Sequence, residues 1–383
     1  MFWNKLNGVG KSGKKRLFII FLYQVLNYMD IKEELKKFKD LLDPKIEIYL
    51  DKAVKEAEKE DIFIADALRF VKKYVLSGGK RLRPALMYYG YLAAGGKERE
   101  KALKTAVSIE LIHAFLLIHD DIIDKDEMRH GVDTAHYHFS KLGKKYFPKK
   151  DSAHFGNSIA IIVGDMVGAM GNQIIFNSDF DTKNIMRALD RLQGIVSMTV
   201  IGQSQDVYIE YAGKASEKEI LQMYKNKTAK YTIEGPLHLG AILGGAGDEL
   251  LEKITRFSIP IGIAFQIQDD ILGIFGSERK IGKPVGSDIQ EGKQTILVAR
   301  ALEIGKADQK KVIKSLLGKE KLTSKDIDEF RRAIIASGAL EYAQKTATDF
   351  IKQGKKEIES AQIKSEAKEF LLGMADYMMS RDV

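Results

Sequence analysis

The chain has 383 residues, 45% hydrophobic and 30% charged, with no cysteine and a formal net charge of +8. Without cysteine there are no disulfides, thiolate metal sites or cysteine nucleophiles, and a cytoplasmic protein is expected. The positive balance fits an anionic partner, whether nucleic acid, a membrane surface or a phosphorylated metabolite.

Lys5, Lys11, Lys14, Lys15 and Arg16 precede an apolar run at 17–29. No small-residue cleavage site follows, so the run does not read as a signal peptide. Gln24 and Asn27 interrupt it, and it is too short to span a bilayer comfortably. Residues 1–28 are therefore read as an N-terminal extension or an upstream start, without stable membrane insertion, and one domain is expected over 29–383.

Proline is scarce, and apolar residues recur at spacings of three and four, which predicts helices. Ser77-Gly78-Gly79 should break one helix, Gly95-Gly96 should separate two more, and 244–247 should form a turn. The polar stretch 144–157 and the Gly- and charge-rich stretch 276–293 read as loops, and 355–368 as a solvated helix face. Strand-like alternation is absent. The fold class expected is all-α, a single-domain helical bundle.

His119-Asp120-Asp121-Ile122-Ile123-Asp124 ends an apolar stretch, 106–118. Asp120 and Asp124 are four apart, so on a helix their carboxylates lie one turn apart on one face. Hard oxygen ligands at that spacing suit Mg²⁺, which keeps waters and also binds substrate phosphates. A second acidic pair, Asp269-Asp270, follows another apolar stretch, 259–265. Two such pairs, far apart in sequence, predict carboxylates facing each other across a bundle.

Basic residues complete the pattern. Gly78-Gly79-Lys80-Arg81-Leu82-Arg83-Pro84 joins a helix break, cations and a proline suited to a first helical turn, which predicts an anion site. It lacks the spacing of a Walker loop. Lys227-Thr228, Lys283 and Lys293 place further cations near acids. His113 precedes Asp120 by seven residues on the same face, whereas His119 points away from it.

In order and spacing, GGKRLRP, HDDIIDKDEMR, GQSQD, NKTAKY, FQIQDDILG and GKPVGSDIQEGK resemble the trans-isoprenyl diphosphate synthases, notably the archaeal geranylgeranyl/farnesyl type. The resemblance runs from about Met29 to the C-terminus. It implies antiparallel helices around a deep central cavity, usually in a homodimer. It also implies a Mg²⁺-dependent condensation of isopentenyl diphosphate with an allylic diphosphate (dimethylallyl, geranyl or farnesyl). Asp120 and Asp124 would hold two Mg²⁺ ions and Asp269 a third. Arg129, Lys227 and Lys293 would grip the allylic diphosphate, and Thr228, Gln266, Lys283, Gln203 and Asp206 would complete that pocket. Gly79, Lys80, Arg83 and His113 would hold isopentenyl diphosphate.

Two departures stand out. His130 replaces the second arginine of the usual Arg-Arg-Gly, and Gly273 stands where many relatives have aspartate. For product length the family pattern points to Phe115, five before the first acid, with Leu116 beside it and no insertion in DDIID. That combination implies a twenty-carbon product, the alternatives being farnesyl or twenty-five-carbon products. A terpene cyclase would not need GGKRLRP, which serves a second diphosphate. A non-catalytic subunit of a hetero-oligomeric synthase would tend to lose the acids. A nucleic-acid binder would carry an aromatic-studded basic stripe, whereas these cations alternate with acids.

Overall fold

The computed structural model describes residues 29–276 and 286–379. The extension at 1–28 and Lys283 lie outside the described residues.

Helix α1 (Ile31–Ala57) opens on Asp30, whose carboxylate accepts from the backbone N–H of Lys32 and Glu33. Ile31, Leu35, Phe38, Leu42, Ile46, Leu50 and Val54 form one buried stripe along it. α2 (Ile62–Leu76) and α3 (Leu82–Ala93) flank the GGK break, and Pro84 sits in the first turn of α3.

α4 (Arg99–Asp124) is buried on most sides and carries Asp120 and Asp124 in its last turns. Met128–Arg129 and Val132–Asp133 form a small antiparallel hairpin. Its turn residues, His130 and Gly131, both have positive φ (50° and 78°), as a tight two-residue turn requires. α5 (Ala135–Tyr146) and α6 (Ser152–Phe176) follow. The loop expected at 144–157 is therefore mostly helix. Only 147–151 are outside helices, because Asp151 caps α6 by accepting from the N–H of His154.

α7 (Thr182–Ala212) and α8 (Glu217–Tyr224) lead into a π-helical segment (Lys225–Glu234) and then α9 (Gly235–Leu243). α10 (Asp248–Phe275) carries Asp269 and Asp270 in its last two turns. A short α11 (Ser287–Gln290) lies within the stretch read as a loop. The C-terminal layer is α12 (Ile296–Ile304), α13 (Ala307–Leu316), α14 (Ser324–Ala336), α15 (Ala339–Glu359) and α16 (Ser365–Met379). The face expected over 355–368 is two helices with a break between them, and Ile358, Ala361 and Ala367 are buried.

α4 packs against α6, α10 against α15 and the π-helical segment, and α3 against α9. Among the described residues one helix, α6, is long and apolar enough to cross a bilayer by length and composition. It packs instead on α4 and α5.

The crossing of α3 and α9 is close enough to demand glycine. A Cβ on Gly240 would overlap the backbone carbonyl of Met87 and approach the Tyr91 nitrogen at 2.7 Å. Gly194, on the exposed side of α7, has nothing within 4 Å of its Cβ position. Both are helix-interior glycines, so propensity alone favours alanine at each by about 1 kcal/mol. Gly194→Ala should therefore raise stability by about 0.5–1 kcal/mol. Gly240→Ala should lower it by about 1–3 kcal/mol or more. Urea unfolding of the two variants checks the opposite signs.

Candidate active site

Three cavities meet at the ends of α4 and α10. The first, about 120 Å³, is basic and lined by Gly78, Gly79, Lys80, Arg83, His113, Arg129 and His130. The second, about 340 Å³, holds Asp120, Asp124, Asp206, Asp269 and Asp288 with Lys227 and Lys293. The third, about 860 Å³, is mainly apolar and is walled by Phe115, Leu116, Leu117, Tyr231 and Phe265. Arg129 and His130 line both the first and second, and Asp120, Lys227, Gln266 and Asp269 line both the second and third. The first and third share Arg83, His113 and Leu117.

In the basic cavity the Arg83 guanidinium lies 3.0 Å from His113 Nε2, donates to Thr232 Oγ1 at 2.8 Å, and stacks over the Tyr231 ring. Burial and the charges of Arg83 and Arg129 hold the His113 imidazole well below its ordinary value, so it is neutral. Lys80 donates to Tyr377 Oη at 2.7 Å. His130 lies against Gly78, where a Cβ would strike its ring. Partial burial, then the charges of Arg129 and Arg81, lower its pKa.

Braces that the sequence reading did not single out hold this cavity. Arg81 has a left-handed backbone (φ 52°) and is 2% exposed. It donates to Asp43 and Glu110, each at 2.6 Å, and to the Val75 carbonyl at 2.9 Å. Glu110, a lone acid in an apolar helix, was the available signal, since such a residue is rarely buried without a partner. Asp121, fully buried, accepts from Arg129 (Nε at 2.7 Å) and from Tyr74 Oη at 2.7 Å.

In the acidic cavity, Lys227 donates to Asp206 at 2.5 Å, and Lys293 lies 2.8 Å from Glu291 and 3.7 Å from Asp124. Burial alone would lower both lysines. It is outweighed by the acids around them, Asp206 foremost for Lys227 and Asp124 for Lys293, so both are held above their ordinary value. Thr228 donates to Gln266 Oε1 at 2.6 Å, and Gln266 donates to Asp270 at 2.8 Å. Burial pushes the Asp270 carboxyl up to about 8, against hydrogen bonds from Tyr224 and Gln266.

The donors are hard carboxylate oxygens, the right type for Mg²⁺. Among the described residues no three acids or histidines converge on one point. A cation here would take much of its shell from water or ligand oxygens, which is how Mg²⁺ is usually held.

Phe115 and Leu116 both line the apolar cavity, and so do Gln203 and Thr228. Phe115 rests on Gly168 of α6 and meets the His119 ring edge-on at 4.9 Å between centroids. His119 turns towards α6, its Nε2 3.2 Å from the Ile161 carbonyl. Ile112 and Ile109, about one and two turns earlier on α4, are buried.

Comparison with known proteins agrees with this arrangement. The polyprenyl synthetase family model matches residues 65–334. A geranylgeranyl pyrophosphate synthase of Geoglobus acetivorans is 34% identical over 92% of this chain and 99% of its own length. A geranylfarnesyl diphosphate synthase of Aeropyrum pernix is 33% identical over 80% of this chain and 92% of its own. Among solved structures, the geranylgeranyl pyrophosphate synthase from Corynebacterium glutamicum, complexed with isoprenyl diphosphate and magnesium, superposes with a TM-score of 0.86. It is 32% identical and covers 91% of this chain and 99% of that one. With the family match spanning most of the fold and the site, this chain belongs to the polyprenyl synthetase family.

Proposed function

We propose that the protein is a prenyltransferase. It condenses isopentenyl diphosphate with dimethylallyl, geranyl or farnesyl diphosphate, yielding mainly geranylgeranyl diphosphate and releasing diphosphate. The observation that carries this reading is the junction of three cavities of different chemistry: one basic, one with paired acids and lysines, one apolar. One diphosphate fits the first, a metal-bound diphosphate the second, and a hydrocarbon tail the third.

Asp120, Asp124 and Asp269 would hold Mg²⁺, three ions in the family's pattern, whose chemistry is to neutralise charge on the departing diphosphate. Lys227 and Lys293, both kept charged, add to that neutralisation from the chain itself. Arg129, fixed by Asp121, stands between the two diphosphate sites. Lys80 and Arg83 supply charge to isopentenyl diphosphate, and neutral His113 a hydrogen bond. The allylic C1–O bond breaks, the double bond of isopentenyl diphosphate attacks C1, and the lost proton passes to the released diphosphate. Phe115, Leu117 and Phe265 limit the water that could trap the cationic carbon.

A homodimer fits the exposed apolar residues along α6 and α7, among them Ile161, Ile162, Val200, Ile201 and Tyr208. Exposed apolar residues grouped on two neighbouring helices suit an interaction surface. Tyr208 and Tyr211 also line the apolar cavity, so a second copy seated there would close its open side.

Asp120→Ala and Asp269→Ala should each lower turnover with Mg²⁺ by roughly 10²–10³-fold or more, the scale of losing one group that stabilises transition-state charge. Unfolding temperatures of the metal-free variants should stay near the natural protein's. Near-normal turnover in either variant would contradict the metal role.

His130 should make isopentenyl diphosphate binding pH-sensitive. Its pKa is lowered in the free protein, and an adjacent diphosphate raises it, so binding takes up a proton between the two values. KM for isopentenyl diphosphate should therefore climb with pH across that window, more steeply than in His130→Arg, whose side chain stays charged. The paired comparison cancels the substrate's own ionisation, and parallel profiles would remove His130 from the binding site.

Phe115→Ser should lengthen products beyond twenty carbons, since it removes a bulky ring from the wall of the apolar cavity. Chromatography of dephosphorylated products measures this. An unchanged length in an active variant would move the stop to Leu116 or elsewhere.

A further inference from the structure

Residues 141–151, KLGKKYFPKKD, hold five lysines against one aspartate, a net of +4 where the whole chain carries +8. They form the end of α5, the link 147–151 and the cap of α6. None of them lines the three cavities. Lys141 is paired with Asp133 at 2.8 Å. Among the described residues the other four, Lys144, Lys145, Lys149 and Lys150, are exposed and have no carboxylate partner. The one acid of the stretch, Asp151, is taken up by the α6 cap.

Helix stability accounts for only part of this charge. Lys144 and Lys145 lie at the C-terminus of α5, where the helix dipole favours cations. Lys149 and Lys150 lie just ahead of the N-terminus of α6, where the same dipole disfavours them. Between the two pairs stand Tyr146 and Phe147, 62% and 50% exposed. The Lys145 ammonium lies 5.1 Å from the Tyr146 ring centroid. Phe147 begins a row of rings. It meets Phe155 of α6 edge-on at 5.5 Å, and Phe155 lies 6.3 Å from Phe63 of α2, itself 6.3 Å from the buried Phe139. Phe155 also sits against Gly143, where a Cβ would come within 2.8 Å of its ring. The row is thus fixed to the core at one end and bordered by unpaired cations at the other.

Exposed rings alone would suit a protein partner, and lysines alone any polyanion. Together they suit an anionic lipid surface, where rings enter the headgroup layer and lysine stems lie along it with their ammonium groups on phosphates. The rings meet one another tilted or edge-on, not as a row of open faces on which bases stack. Position agrees with this. Gly164, Gly168 and Gly171 of α6 lie against His119, Phe115 and Ile112 of α4, so the two helices are antiparallel. The first turn of α6 therefore lies at the end of α4 that carries Asp120 and Asp124.

We propose that the lysine–aromatic stretch 141–150, with Phe155 and Phe63 behind it, docks the protein on an anionic membrane surface. The contact is peripheral and does not depend on the reaction that the cavities perform.

Co-sedimentation of the full chain with vesicles of equal parts phosphatidylglycerol and phosphatidylcholine measures this, with phosphatidylcholine vesicles as the neutral arm. The protein should bind the anionic vesicles, less so as salt rises, and not the neutral ones. A lysine near such a surface is worth about fivefold in affinity, so Lys149→Ala/Lys150→Ala should bind roughly tenfold or more weakly. Phe147→Ser should lose affinity while keeping the salt dependence. The basic residues ahead of the apolar run at 17–29 carry charge of their own, so a local readout is included. In Trp3→Phe/Phe147→Trp the single indole should shift its emission to the blue on anionic vesicles and not on neutral ones.

Anionic vesicles that bind the natural protein and the lysine variant alike, or that leave the indole emission unmoved, would place binding elsewhere in the chain and overturn the inference. No binding to anionic vesicles overturns it directly. So does tighter binding of a DNA duplex through the same lysines. A lower mass for the lysine variant in analytical ultracentrifugation would make the stretch a contact between copies, and has the same consequence.

Discussion

The arrangement depends on holding like charges together in a partly buried space. Asp120 and Asp124 lie on one face of α4, and Asp269 and Asp270, adjacent on α10, line the same cavity. Burial disfavours their charged forms, as the raised Asp270 carboxyl shows, and the neighbouring acids add to it. They are kept in place by helices whose buried faces are mainly apolar. Ile109, Ile112 and Ile118 of α4, and Ile261, Ile267 and Ile271 of α10, are each no more than 1% exposed. Lys227 and Lys293 offset part of the repulsion, as the upward shift of both lysines records. On the proposed function, the same lysines that balance the acids at rest would meet a diphosphate.

Around this centre Arg129 and Arg81 are each held by buried ion pairs. Asp121, adjacent in sequence to Asp120, turns inward and holds Arg129 with help from Tyr74. Arg81, between Lys80 and Arg83, turns inward to Asp43 and Glu110. Each motif therefore alternates a residue facing the cavity with one facing the core. Breaking such a buried pair by removing one partner leaves an uncompensated charge, which is why these ion pairs resist loosening.

What could be read from the chain followed distance in sequence. The Asp120/Asp124 pair and the helix break at Gly78-Gly79 are local, and periodicity locates them. The stretch 144–157 misled because Ser152, His154 and Asn157 are polar; their helix is stabilised by the Asp151 cap and by packing on α4, neither of which composition reveals. The π-helical segment was equally hidden, since KNKTAKYTIE contains no glycine or proline to mark it, yet it carries Lys227, Thr228, Tyr231 and Thr232 to the cavities. Asp288 and Gly273 were visible separately, but only the folded chain shows that one fills the space beside the other.

The wall of the apolar cavity illustrates how stiffness matters more than size. Burying each carbon of a growing tail is favourable by about 0.8 kcal/mol, so a five-carbon unit gains about 4 kcal/mol by entering further. Rearranging one overpacked side chain costs about 1–3 kcal/mol, less than that gain. A lone movable ring would therefore yield to the next unit. Phe115 does not stand alone: its ring lies on Gly168, where a Cβ would come within 3.1 Å, and its edge is held by His119. The absence of a side chain at Gly168 lets the ring rest near the α6 backbone, and backbone cannot step aside as a rotamer can. Behind it, Ile112 presses as closely on Gly171 of the same helix. Moving Phe115 further means separating α4 from α6, which is among the most extensive helix contacts in the protein. On the proposed function, the stop on chain growth would be a property of a helix pair, with Phe115 the part of it that lines the apolar cavity.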